Sequence, residues 1–89
     1  MKELINRSYQ AIRKRGKITP DTDFPDFIEK MEEELREIKE AYERRFNFPN
    51  AIKETIDLMA TCSNAVTHFG YDTEKEFEKC VLHQETRKD

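Results

Sequence analysis

Cysteine is scarce in this chain, and it contains no long apolar run. Cys62 and Cys80 are too few for a disulfide scaffold and lack zinc-ligand spacing, so both are read as reduced thiols. No N-terminal apolar run resembles a signal peptide, and no segment nears the ~20 apolar residues needed to cross a bilayer. The expectation is a cytoplasmic protein with no membrane partner. Basic charge is not in excess either. Sixteen Lys and Arg stand against 19 Asp and Glu, a net charge of −3, which argues against a nucleic-acid polymer as partner. His68 and His83 have no H-x-x-x-H spacing and are not read as metal ligands. Two Gly and three Pro leave the chain few breaks.

What is present is charge and periodicity. Charged residues make up 39% of the chain and hydrophobic ones 36%, a mixture that in a patternless chain would point to disorder. Here the apolar residues recur at helical spacing, and six Phe and three Tyr supply large surfaces to bury. With 89 residues there is one domain, residues 1–89. A chain so short buries only about 60–65% of its unfolded surface, so its core is thin and self-association would help it.

The pattern predicts an all-α protein of four helices. Residues 2–15 carry Leu4, Ile5, Ser8, Tyr9, Ala11 and Ile12 at spacings of three and four, and end in Arg13-Lys14-Arg15-Gly16-Lys17. That basic run is either a last turn facing the helix dipole, with Gly16 as left-handed cap, or a cationic lip for phosphates. Pro25 suits the first turn of a second helix over 25–46, capped by Asp23 or Phe24. Phe24, Phe27, Ile28, Met31, Leu35, Ile38 and Tyr42 form its stripe. Asn47 or Phe48 caps a third helix over 50–69, ended by Gly70. It is greasy on two sides, with Ile52, Ile56, Met59, Ser63 and Val66 on one and Leu58, Cys62, Ala65 and Phe69 on the other, as for a central helix. Thr73 with Glu76 reads as the capping box of a fourth helix over 74–87.

Acidic residues stand out against this frame. Glu33-Glu34-Leu35-Arg36-Glu37 is an E-E-x-x-E run on the second helix, and Glu54-Thr55-Ile56-Asp57 is an E-x-x-D run on the third. Residues three apart share a helix face, so Glu34 pairs with Glu37, and Glu54 with Asp57. If the two helices pack antiparallel, these carboxylates converge in one cleft. Crowded carboxylates repel, and the remedies are divalent cations, protons or nearby Lys and Arg. Oxygen-only ligands suit a hard ion, Mg²⁺ or Mn²⁺. E-E-x-x-E alone is also what a solvated helix face looks like, but Glu54 and Asp57 sit on the most apolar helix.

A helix with E-E-x-x-E, a break, and a second helix with E-x-x-D resembles the all-α nucleotide pyrophosphohydrolases, the group of MazG, the dimeric dUTPases and the dCTP pyrophosphatases. Glu33, Glu34, Glu37, Glu54 and Asp57 carry the resemblance, with Lys30-Met31-Glu32 leading in and Leu58 following, and it spans roughly residues 10–87. It implies a four-helix MazG-like bundle with the acidic site on helices 2 and 3, working as a dimer or tetramer. It also implies Mg²⁺-dependent cleavage of a nucleoside triphosphate to monophosphate and pyrophosphate. In that reading Glu34, Glu37, Glu54 and Asp57 hold the metal. Glu33 orients a ligand or accepts a proton from water, or else pairs with a lysine. Lys53, Lys79 and Arg87, with the Arg13–Lys17 cluster, are candidates for holding phosphates. Where the family carries an Asn near its C-terminus, this chain has Gln84, which keeps the amide on a longer arm. The chain is minimal, so a neighbouring subunit would complete a base pocket. The competing readings are a non-catalytic helical interaction module, whose acids make interhelical salt bridges, and a catalytically idle nucleotide-binding relative.

Overall fold

Three of the four helices start at a residue whose side chain satisfies backbone N–H groups that have no intrahelical partner. The computed structural model describes residues 1–87; Lys88 and Asp89, the end of the expected 1–89 domain, lie outside the described residues. The described residues form an all-α fold of four helices, α1 (Lys2–Lys14), α2 (Phe24–Lys39), α3 (Phe48–His68) and α4 (Thr73–Thr86), with no strand among them. Asp23 caps α2: its Oδ1 accepts from the Phe24 N–H at 2.8 Å, and the Asp26 carboxylate accepts from the Asp23 N–H at 2.9 Å. Asn47 caps α3, Oδ1 accepting from the Asn50 N–H at 3.1 Å. Pro25 and Pro49 both lie in first turns, where a missing N–H costs nothing. Gly16 (φ 74°) and Gly70 (φ 86°) turn the chain left-handed after α1 and α3.

Two local expectations need correction. Thr73 is not the cap of α4. Asp72 is, its Oδ1 accepting from the Lys75 N–H at 3.2 Å. A carboxylate accepts this bond more strongly than a hydroxyl and suits the positive end of the helix dipole. That N–H, with Lys2 nearby, holds the Asp72 carboxyl below its ordinary range. Thr73 instead meets the Thr67 hydroxyl at 2.7 Å, and Glu76 pairs with Lys79 at 3.1 Å rather than closing a capping box. The second helix also does not run evenly to residue 46. After Lys39 it widens into a π-helical turn, Glu40–Arg44, with the Arg45 N–H reaching the Glu40 carbonyl at 3.3 Å. Phe46 then turns left-handed, φ 50°. The widened turn puts Ala41 inward, and Ala41 and Ala51 are both buried as α2 and α3 close up at this end.

α3 is the central helix. α2 packs along it antiparallel, Phe27 meeting the His68 and Phe69 rings at one end while Glu34 lies beside Asp57 further along. α1 also packs against it: Ser8 Oγ donates to Asn64 Oδ1 at 3.2 Å, and Tyr9 reaches His68. The core is small: Tyr9, Ile18, Phe27 and Ala65, flanked by Ile12 and Met31. Neither predicted stripe of α3 is covered throughout: Cys62 and Phe69 of one are exposed, and Ser63 and Val66 of the other are half-buried. Ala65 is enclosed, while Ile52, Ile56 and Met59 remain about half exposed or more. α4 has no buried residue and is held mainly near its start, by Thr67–Thr73 and by Lys2 with Asp72 and Glu74. The radius of gyration is accordingly 14.7 Å, against about 12 Å for a compact chain of this length.

A polar chain threads the core. His68 Nε2 donates to the Thr22 carbonyl at 2.8 Å, which leaves Nδ1 as an acceptor for the Tyr9 hydroxyl at 2.6 Å. It ties α1, α3 and the α1–α2 loop together. Tyr9→Phe strands a largely enclosed ring nitrogen, which costs about 1–3 kcal/mol. The expected drop in Tm is about 4–8 °C per kcal/mol, measurable by calorimetry; an unchanged Tm would show that the chain contributes nothing.

Candidate metal centre and adjoining cavity

Antiparallel packing brings the acidic runs together. One carboxylate oxygen from each of Glu34, Glu54 and Asp57 lies within 4.8 Å of the others. Glu34 is buried, Glu54 half-buried and Asp57 exposed, so the cluster is a pit with a floor and an open rim. Glu37 adjoins it, close enough that its charge raises the carboxyls of both Glu34 and Glu54.

Glu34 is the group under most stress. Its Oε1 lies 3.7 Å from Lys30 Nζ, one turn back on α2. Its Oε2 is buried and has no hydrogen-bond partner. Lys30 is half exposed, so its attraction amounts to at most about 1 kcal/mol. An unmet buried acceptor costs about 1–3 kcal/mol, more when charged. Burial therefore wins: desolvation, then Glu37, Asp57 and Glu33, raise the Glu34 carboxyl above its ordinary 4.5 against the pull of Lys30. Glu54 is raised as well, by desolvation and by Glu37 and the other acids of the cluster. A divalent cation answers both problems at once. It gives Oε2 a partner and cancels the repulsion, and the all-oxygen donor set fits Mg²⁺ or Mn²⁺.

The other predicted site residues fall into two groups. Glu33 is half-buried beside the cluster with its Oε2 3.9 Å from Lys30 Nζ, the lysine pairing that its position allows. Lys53, Lys79, Gln84 and Arg87 are exposed and do not line the cavity described next. Lys53 projects from α3 beside the cluster, Lys79 is engaged with Glu76, Gln84 is on α4 and Arg87 follows it.

From the carboxylates a cavity of about 430 Å³ runs between α1, α2 and α3. Three helical stripes line it: Ser8, Ile12 and Arg15; Phe27, Lys30 and Glu34; Asp57, Thr61 and Asn64. Each has spacings of three and four, so each is one face of its helix. Lys17 and Ile18 close the side. Of the basic run ending the first helix, Arg15 and Lys17 face this cavity, whereas Arg13 sits over the Tyr9 ring at 5.9 Å. Lys30 and Asn64 were not singled out from the sequence. Their signals are nonetheless present: Lys30 stands four before Glu34, and Asn64 seven after Asp57 on the same face.

Both cysteines are free and exposed, and packing raises the Cys62 thiol above its ordinary 9.0, away from thiolate chemistry. Among the described residues no helix is long and apolar enough to cross a membrane. Comparison with protein-family models, curated proteins and solved structures gives no match.

The raised carboxyls set the sign of a pH effect. The folded protein holds these protons more tightly than the unfolded chain, so stability falls as pH rises from 4.5 through the raised values. Asp72 has the opposite sign, but its window lies below 3.8. Metal-free protein is expected to lose Tm between pH 4.5 and neutrality, and Glu34→Gln to flatten that slope. Millimolar Mg²⁺ at neutral pH is expected to restore the loss. Ion at a hundredfold its Kd adds about 2.7 kcal/mol, a Tm rise on the order of 10 °C. A Tm blind to Mg²⁺ and Mn²⁺ in scanning calorimetry would remove the metal centre.

Proposed function

We propose that this protein is a Mg²⁺-dependent nucleoside triphosphate pyrophosphohydrolase, a cytoplasmic enzyme of the MazG-like kind. The observation that carries the reading is the buried, partnerless Oε2 of Glu34 in a three-carboxylate pit, opening on a cavity lined by Arg15, Lys17 and Lys30. Acids to hold a cation beside bases to hold an anion are what a metal–polyphosphate complex requires. In this reading Glu34, Glu54 and Asp57, with Glu37 alongside, hold Mg²⁺. When bound, the ion supplies positive charge against the triphosphate and acidifies coordinated water. Arg15, Lys17 and Lys30 bind the phosphates and stabilise charge on the departing pyrophosphate. Glu33 lies one residue outside the ligand set; it orients the attacking water and takes its proton, with Lys30 fixing its position. Lys53, Lys79, Gln84 and Arg87 reach the substrate only if a second subunit brings them there.

The assay is release of pyrophosphate, as opposed to orthophosphate, from each common triphosphate with Mg²⁺. Glu54→Ala and Asp57→Ala are expected to lower kcat/KM on the order of 10²-fold or more. Glu33→Gln is expected to lower kcat by about 10²–10⁴-fold at unchanged Mg²⁺ affinity. Undiminished turnover in the Glu54 or Asp57 variants would sink the assignment. No turnover by the parent protein, with the Mg²⁺ shift intact, would leave a nucleotide-binding relative without catalysis.

The same reading includes a homo-oligomer. Ile52, Ile56 and Met59 on α3 and Phe77 and Leu82 on α4 are all largely exposed. No large side chain among the described residues is completely enclosed. A second copy covering α3 and α4 would supply the missing burial. Light scattering is expected to give a dimer or tetramer, and a stable monomer at micromolar concentration would contradict it.

A further inference from the structure

Lys30 is the cation paired with the floor of the carboxylate pit, and it is held there loosely. Its Nζ stands 3.7 Å from Glu34 Oε1 and 3.9 Å from Glu33 Oε2, outside hydrogen-bond distance of both. Elsewhere in the molecule Lys79 closes on Glu76 at 3.1 Å and Arg45 on Glu40 at 3.2 Å. In those two pairs the acid precedes the base along the chain. Lys30 precedes both of its acids, the weaker order on a helix. Glu34 beneath it is 8% exposed, and the Oε2 of that carboxylate has no partner at all. The Lys30 side chain is half exposed and lines the cavity, as Arg15 and Lys17 do from the segment after α1. Its four-carbon stem therefore has room to turn from the pit to the cavity.

We propose that Lys30 is the resident counter-cation of the pit: it gives way when a divalent ion enters among Glu34, Glu54 and Asp57, and then takes a phosphate oxygen of the ligand in the cavity. This rests on the metal centre and cavity of the reading above, though not on turnover. The reasoning is one of competing charges. An ammonium beside Glu34 repels a second cation brought to the same carboxylate, and it offsets part of the acid repulsion that draws that cation in. Lys30 therefore weakens the hold on a bare ion. Once the ion neutralises Glu34, the ammonium keeps only Glu33 and any anion in the cavity. A polyphosphate on the ion supplies that anion, so Lys30 strengthens the hold on the ion–phosphate complex. One side chain thus acts with opposite signs on the two ligands and couples their binding.

Lys30→Met tests this, since it keeps a long unbranched stem and a good helix former while removing the charge. Inorganic triphosphate is the probe, because it carries the phosphates and no base. Two dissociation constants are measured by calorimetric titration at low ionic strength, one for Mg²⁺ alone and one for the preformed Mg²⁺–triphosphate complex. Relative to the parent, Lys30→Met is expected to bind Mg²⁺ about three- to tenfold more tightly and the complex about three- to tenfold more weakly. Lys30→Arg keeps the charge and is expected to bind Mg²⁺ as the parent does. Should Lys30→Met fail to fold, Lys30→Gln is measured in its place. A lysine that merely props α2 would weaken both constants on removal. Mg²⁺ affinity that is unchanged or weaker in Lys30→Met, complex affinity that is unchanged or tighter, an arginine variant that tightens Mg²⁺ as the methionine variant does, or a parent that binds no Mg²⁺ would each overturn the proposal. Opposite shifts in a protein that releases no pyrophosphate remove the catalytic reading and keep this one. Pyrophosphate release with both constants unmoved by Lys30→Met does the reverse.

Discussion

One carboxylate oxygen, Glu34 Oε2, is shut away from water and given no donor, and the middle of the molecule is arranged around it. Lys30 reaches only the other oxygen of the same group. Glu54 and Asp57 come from α3 and make matters worse, since their charges repel Glu34 at close range. Protonation relieves the strain in acid, and a bound divalent ion would relieve it at neutral pH. The arrangement makes little sense as stabilisation, because a well-packed apolar trio would hold α2 to α3 better. It is intelligible as a site kept ready for a cation.

The rest of the fold holds that pit in place with modest means. The main buried cluster is Tyr9, Ile18, Phe27 and Ala65 with their flanking residues, and Ala41 and Ala51 are buried apart from it. The Tyr9–His68–Thr22 chain adds direction that a small greasy cluster cannot. It pins the segment between α1 and α2, and Arg15, Lys17 and Ile18 lie on or next to that segment at the cavity wall. α4 stands apart. With no buried residue it does little for the pit, and its apolar side faces outward. The molecule thus divides into a three-helix body with the cleft and an appended helix with no buried residue.

Much of this was legible in the residues. The i, i+3 acids, the prolines in first turns and the caps at Asp23 and Asn47 each follow from local chemistry, and the all-α architecture follows from them. Asp72 and Thr73 are adjacent and both competent caps, so the choice depended on Thr67, a tertiary neighbour. The stripes of α3 are visible, but which of their residues are covered depends on where the other helices come to rest. Ile52, Ile56 and Met59 look like core in sequence and lie open in the fold. Lys79 and Gln84 were assigned to phosphate or substrate through resemblance, and the chain's own geometry leaves them on α4, outside the cavity. Asn64 escaped notice because a single amide between two apolar stripes carries no signal until Ser8 is known to face it.

The joint between the two acid-bearing helices has no glycine. Phe46 takes the left-handed conformation there, at roughly 1–2 kcal/mol, after the helix has widened through Glu40–Arg44. That joint sets how far α2 is slid along α3. A slip of one turn is about 5.4 Å, larger than the 4.8 Å that encloses the three carboxylate oxygens. In the proposed reading, cation affinity would be a ruler laid along the hairpin: whatever loosens the bend would blunt the grip on the ion, and a captured ion, pulling both rods into step, would lock the bend in return.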